Sequence, residues 1–131
     1  MSTHAQFFGC YTALITPFSG EVVDVAAFEQ LVEWQIAEGV HGLVPCGTTG
    51  ESPTLTPAEH GEVIARAVAV AKGRVKVMAG TGSNSTAEAV DYTRDGRGVL
   101  GGERRRRGDG TGHARLGARH LRQEHRQPGG H

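Results

Sequence analysis

A chain of 131 residues with 37% hydrophobic residues, four Phe, two Tyr, one Trp and two Cys is enough for one modest domain. No run approaches the ~18 consecutive apolar residues of a membrane span, and the N-terminal MSTHAQFFGC lacks the basic and apolar regions of a secretory signal, so a cytoplasmic protein is expected. The net charge of zero conceals a break: residues 1–94 carry five Lys+Arg against ten Asp+Glu, whereas residues 95–131 carry nine Arg against four acids, together with ten of the 20 glycines.

The first part reads as alternating strands and helices. Gly9 to Thr16 is a mostly apolar run ended by Pro17, which suits a strand leaving a buried sheet. Asp24 is placed to cap a helix running to about Glu38, with Phe28, Leu31, Val32 and Gln35 on one face and Gly39 at its end. Trp34 on this helix is read as packing. Gly42 to Cys46 is a second short apolar run. Thr56-Pro57-Ala58-Glu59 combines a Thr cap, Pro at the first helical position and Glu three residues after the cap. The helix it opens carries Val63, Ile64, Ala67, Val68 and Ala71 at helical spacing and is followed by Gly73. Val75 to Ala79 is a third strand, and Ser85-Thr86-Ala87-Glu88 repeats the capping box before a helix running towards Arg94.

Three βα units of roughly 30 residues imply a parallel sheet, either an open doubly wound sheet or a closed (β/α)8 barrel. In both, function gathers in the loops after the C-terminal ends of the strands, here Pro17–Asp24, Gly47–Thr56 and Gly80–Asn84. The second loop, Gly47-Thr48-Thr49-Gly50-Glu51-Ser52, sets two adjacent hydroxyls between glycines that allow close backbone approach. Composition alone leaves a plain turn, an anion-binding loop and a catalytic hydroxyl open. The loop lacks the lysine of a phosphate-binding P-loop, and Gly80-Thr81-Gly82 lacks the third glycine of a dinucleotide fingerprint, so a turn is the reading there. Cys10 and Cys46 form neither a CxxC pair nor a disulfide framework; reduced thiols without a metal are expected, and no charged activator marks Cys46 as reactive.

Tyr11-Thr-Ala-Leu-Ile-Thr-Pro-Phe18, Gly47-Thr-Thr-Gly-Glu-Ser52 with Thr54-Leu55, Glu59-His60, and Ala79-Gly-Thr-Gly-Ser-Asn84 with Thr86-Ala-Glu-Ala89 together resemble the dihydrodipicolinate synthase family over about residues 7–94. Related pyruvate aldolases such as N-acetylneuraminate lyase share a similar loop, but Gly-Thr-Thr-Gly-Glu-Ser followed by Thr-Leu favours the synthase. The resemblance implies a (β/α)8 TIM barrel, a lyase that condenses pyruvate with L-aspartate semialdehyde through a lysine Schiff base in lysine (diaminopimelate) biosynthesis, without a cofactor, as a homotetramer. It implies that Thr48 is the proton-relay threonine and that Thr49 holds the pyruvate carboxylate. His60, Asn84 and Glu88 match positions that many family members use to bind feedback lysine, while Pro57 stands where some carry a His, a departure that weighs against lysine regulation here.

Family barrels need about 250 residues, and this chain leaves the pattern near Asp95, before the tyrosines and the Schiff-base lysine of the later strands. Lys72 and Lys76 stand in no matching context, so the chain alone is expected to be inactive, a barrel truncated to about its first three βα units. The tail, 95–131, shows no helical or strand period and is expected to be disordered. A frame-shifted translation of a GC-rich gene accounts for it most simply; a nucleic-acid-binding tail around Arg104–Arg107 and a genuine alternative domain are the rivals. The first rival lacks interleaved aromatics for base stacking, and His113, His120, His125 and His131 have no ligand spacing and read as solvated.

Overall fold

The computed structural model of the chain describes residues 8–100. The Arg104–Arg107 run, the four tail histidines and residues 101–131 of the tail lie outside them; residues 95–100 are described and are helical, which corrects the expectation of disorder for that stretch. The elements are β1 (Tyr11–Ala13), β2 (Phe18–Ser19), β3 (Val22–Val23), α1 (Val25–Ala37), β4 (Gly42–Val44), a 3-10 turn (Ser52–Thr54), α2 (Pro57–Ala71), β5 (Lys76–Val77) and α3 (Thr86–Leu100).

Strands β1, β4 and β5 form a parallel sheet in that order, with Tyr11 opposite Gly42 and Leu43 opposite Val77. Each strand therefore neighbours the next parallel strand in the chain, and α1 packs on α2 and α2 on α3 in a single helical layer. Among the described residues the winding runs in one direction, without the reversal of strand order that marks the switch point of a doubly wound sheet. The three strands make an open arc with β1 and β5 at its edges.

All three strands are shorter than the apolar runs predict. Proline explains the end of β4: Pro45 has no N–H to offer either neighbour, so the ladder survives there only through its carbonyl, which accepts from Gly80 N at 2.9 Å. Leu14 N still reaches Val44 O at 3.0 Å and Met78 N reaches Leu43 O at 2.9 Å, so the sheet's hydrogen bonding continues past the regular pairs.

A hairpin that the sequence reading treated as loop follows β1. Phe18 pairs with Val23 and Ser19 with Val22, leaving Gly20-Glu21 as a two-residue turn with Gly20 at φ +63°. Glycine at the first central position is what a type II′ hairpin turn uses, so the signal was present but two-residue strands carry too little apolar pattern to show it.

The helices follow their caps. Asp24 Oδ1 accepts from Ala27 N at 2.9 Å, and Gly39, at φ +90°, takes the chain out of α1 after Glu38. Thr56 and Glu59 form the full capping box of α2: Thr56 Oγ1 accepts from Glu59 N, and the Glu59 carboxylate accepts from Thr56 N at 2.8 Å. The box expected at α3 is only half made. Ser85 Oγ accepts from Glu88 N, but Glu88 turns its carboxylate to the Ser83 hydroxyl, and Ser85 N donates to Ser83 Oγ at 3.1 Å. Helix α3 also continues six residues past Arg94, because Gly96 is buried against Thr81 and Ala79 and Val99 packs on the core.

The core lies between the sheet and the helical layer. Leu14 and Leu43 meet Phe28 and Val32 of α1 and Val63, Ile64, Ala67 and Ala71 of α2. Trp34 is a correction to the sequence reading, since it is 57% exposed; two and six residues from Val32 and Phe28, it falls on the opposite side of a 3.6-residue helix. Outside the core, Arg66 bridges Glu62 and Glu29, and Arg74 holds both oxygens of Glu33, clipping α1 to α2. The Arg74 bond holds the Glu33 carboxyl below its usual range, but exposed pairs of this kind contribute little to stability.

Replacing Thr56 by Ala removes the cap of the central helix and should cost about 1 kcal/mol, read as a lower urea midpoint at an unchanged slope. An unmoved midpoint would show that the Glu59 side chain alone caps α2.

Candidate functional site

The loops after β1, β4 and β5 lie at one end of the sheet because the strands are parallel, and two of their backbones touch. A Cβ at Gly80 would lie 2.2 Å from Cys46 O and 2.8 Å from Gly47 N, so glycine is the residue that lets β5 close on the end of β4. Cys46, on the other side of this contact, sits at φ +57°, a left-handed conformation that costs a side-chain-bearing residue of order 1 kcal/mol. It is held there by its surroundings: the thiol donates to His60 O at 3.7 Å, and Gly50 packs against its backbone from the opposite side.

From Cys46 the chain folds into a tight turn. Gly50 N donates to Gly47 O and Glu51 N to Thr48 O, both at 3.1 Å. Glu51, at φ +55°, reverses the chain into the 3-10 turn, and Thr54 Oγ1 donates back to Glu51 O at 2.8 Å. Leu55 then inserts into the core and fixes the far end of the loop. Thr48 and Thr49 are both exposed at the crest of this turn. A buried hydroxyl from the first strand's end completes the support, with Thr16 Oγ1 donating to Gly50 O at 2.7 Å.

Beneath the loop lies His60. Its side chain is 2% exposed, its Nε2 is 2.9 Å from Gly80 O, and its ring stacks on Tyr92 at 4.0 Å with 14° between the planes. A carbonyl only accepts, so Nε2 carries the proton. Burial pushes the His60 pKa down, against smaller opposing effects of the Gly80 carbonyl, Glu88 and Asp95, and the ring is neutral at pH 7. Burial likewise pushes the Cys46 thiol up to about 12, which removes it as a nucleophile.

A cavity of about 650 Å³ opens between the threonine turn and the start of α3, with Thr48, Ser52, Asn84, Glu88 and Tyr92 on its walls. The structure thus brings Thr48, Asn84 and Glu88 together. Thr49 lies outside that lining, on the exposed side of the turn. His60 is not among the residues that line the cavity: it stands behind the wall, tied to Gly80 and covered by Tyr92. Lys72, at the C-cap of α2, and Lys76, which opens β5, are at the opposite end of the sheet from the threonines. Thr16, Gly80 and Tyr92 were missed by the sequence reading. Thr16 sits where Leu14 and Thr16 share a face, a period-two signal that reads as packing and conceals the hydroxyl.

No cluster of three or more His, Cys, Asp or Glu side chains suited to a metal occurs among the described residues, and no helix there is long and apolar enough to cross a membrane. A singly wound βα sheet that gathers glycines and hydroxyls beyond the C-terminal ends of its strands has the layout of βα enzymes that bind small molecules at that end.

Comparison with known proteins narrows the class. The model of the dihydrodipicolinate synthetase family matches residues 6–99. The 4-hydroxy-tetrahydrodipicolinate synthase of Parvibaculum lavamentivorans is 63% identical over 89 residues, which are 68% of this chain and 31% of that protein. Crystal structures of two relatives superpose well. The dihydrodipicolinate synthase of Acinetobacter baumannii complexed with pyruvate gives a TM-score of 0.67 at 41% identity, over 70% of this chain and 32% of that one. The enzyme from Cyanidioschyzon merolae with lysine bound gives 0.66 at 36% identity, over the same shares. The chain belongs to the dihydrodipicolinate synthetase family, a family of lyase-type enzymes, and spans about a third of the length of the relatives it matches.

The pH dependence of stability follows from His60. Because the folded pKa lies below the unfolded value of about 6.5, the unfolded chain binds the extra proton, and stability contributed by the neutral ring is present above pH ~6.5 and lost as pH falls below it. Urea midpoints measured between pH 8 and pH 5 should fall at the acid end, and His60→Gln should flatten that dependence. An equally steep fall in the variant would place the titrating group elsewhere.

Proposed function

We propose that this chain carries the N-terminal part of a 4-hydroxy-tetrahydrodipicolinate synthase, whose complete form is a (β/α)8 barrel that condenses pyruvate with L-aspartate semialdehyde through a lysine Schiff base in lysine biosynthesis. The observation that carries the reading is the turn at 47–51, which presents two adjacent hydroxyls at the C-terminal end of the sheet in a family whose Acinetobacter baumannii relative was crystallised with pyruvate.

The chemistry follows from the residue types. A keto acid needs donors for its carboxylate, and the Thr49 hydroxyl, exposed beside backbone N–H groups of a glycine-flanked turn, supplies them. A proton relay needs a group that accepts one proton while donating another, which the Thr48 hydroxyl does and a methyl cannot. The iminium needs an amine at the same end as the carboxylate. Lys72 and Lys76 are at the other end of the sheet, so the described residues hold a carboxylate-binding turn without the nucleophile, and the 131-residue chain is inactive by itself in this reading.

An amino-acid effector is the reading of the cavity. Glu88 offers a carboxylate to an ammonium group and Asn84 an amide to a carboxylate, and the Cyanidioschyzon merolae relative was crystallised with lysine. Here His60 supports the wall through Gly80 and Tyr92 instead of contacting the ligand, and Pro57 leaves α2 without a polar side chain at its first position.

Titration of the chain with pyruvate, followed by amide chemical shifts, should perturb Thr48, Thr49 and Gly50, and Thr49→Val should weaken binding about tenfold, the loss of one hydrogen bond to a charged group. Borohydride treatment in the presence of pyruvate should yield no adduct by mass spectrometry. A trapped adduct on Lys72 or Lys76, or an unchanged affinity in the valine variant, would overturn this reading.

A further inference from the structure

The threonine turn is held on three sides, and one of the three holds is a single hydroxyl far away in sequence. Gly47 to Glu51 closes on itself through two backbone hydrogen bonds, and Gly50 is wedged so tightly that a Cβ there would lie 3.0 Å from Leu14 O and 3.1 Å from Cys46 N. Internal bonds and packing fix the shape of the turn. They leave the Gly50 carbonyl, which is buried, in need of a donor. Thr16, 34 residues earlier and 4% exposed, provides it at 2.7 Å.

We propose that Thr16 is a positioning residue for the keto-acid site: its hydroxyl, by donating to Gly50 O, sets the orientation of the turn that presents Thr48 and Thr49. The proposal rests on the reading of that turn as the pyruvate site. The physical case is that the Gly50 peptide group joins the turn to Glu51. A rotation of that peptide to find another donor would carry the Glu51 N–H away from Thr48 O, the bond that keeps Thr48 at the crest. A buried carbonyl stripped of its partner has a strong drive to rotate, because an unsatisfied buried polar group costs more than a satisfied one contributes. Of the two residues that crowd Gly50, Leu14 is in the core and has no donor to offer, and the Cys46 thiol is bound to His60 O, so neither substitutes for the hydroxyl.

Three variants of the full 131-residue chain test it: Thr16→Val, which keeps the shape and removes the hydroxyl; Thr16→Ser, which keeps the hydroxyl and removes the methyl; and Thr16→Cys, a weaker donor. Amide hydrogen exchange and pyruvate titration are read together. The valine variant should exchange faster at Gly50 and Glu51, with Val63 and Ile64 in the body of α2 unchanged, and should bind pyruvate about tenfold more weakly. The serine variant should match the parent chain and the cysteine variant should fall between, which keeps the test open if the valine variant fails to fold. Unchanged exchange at Gly50 and Glu51 in the valine variant, acceleration spread evenly over the whole chain, or a serine variant as impaired as valine would overturn the proposal. If the parent chain does not bind pyruvate at all, the functional reading of the turn fails, while the exchange pattern still decides whether Thr16 orients it.

Discussion

The contact between Gly80 and the Cys46 carbonyl organises this end of the molecule. Two parallel strands normally keep their chains at hydrogen-bonding distance, and side chains at their ends hold the following loops apart. Removing the Cβ at Gly80 lets the exit of β5 press onto the exit of β4. Several features depend on that approach. The Gly80 carbonyl comes within reach of His60 Nε2, the ring of His60 is pinned flat, Tyr92 of α3 stacks on it, and the start of α3 is thereby carried to the cavity with Asn84 and Glu88. The left-handed Cys46 is the local strain that accompanies this arrangement, and its buried thiol is bound and inert.

Helix α2 transmits the arrangement to the rest of the fold. It packs on α1 at one flank and α3 at the other, and its buried face carries both the apolar residues of the core and His60 one turn from its start. Its N-terminus lies directly after the threonine loop, so the capping box and the insertion of Leu55 fix where that loop must end. The charged clips from Arg66 and Arg74 to α1 lie on the solvent side and link helices already brought together by Phe28, Val32 and the alanines of α2.

Most of this architecture was legible in the residues because it is local. Asp24, Thr56, Glu59 and Gly39 act within one helical turn of where they stand, and the apolar periods of α1 and α2 needed no tertiary knowledge. What escaped was set by residues distant in sequence. Nothing around Glu88 signals that its carboxylate turns to Ser83, nothing around Asp95 signals that a helix with two glycines continues because Gly96 meets Thr81, and Trp34 looked like core until the face of α1 was fixed by its partners. At the site, the family resemblance led to Thr48, Asn84 and Glu88, which the fold brings to one cavity, but a resemblance matches positions without saying which side chains face inward. His60 matched such a position and supports the wall from behind.

The two cysteines differ in a way that makes the chain report on its own integrity. Cys10 is exposed, whereas Cys46 is buried with its thiol raised to about 12, so an alkylating reagent in the neutral range meets one accessible sulfur in the folded protein. Cys46 gains its ordinary acidity when the Gly80 contact and the packing of Leu55 come apart. The number of labels a molecule carries, one or two, therefore counts whether the end of the sheet that bears the threonines is assembled, and it does so without any ligand, substrate or activity being needed.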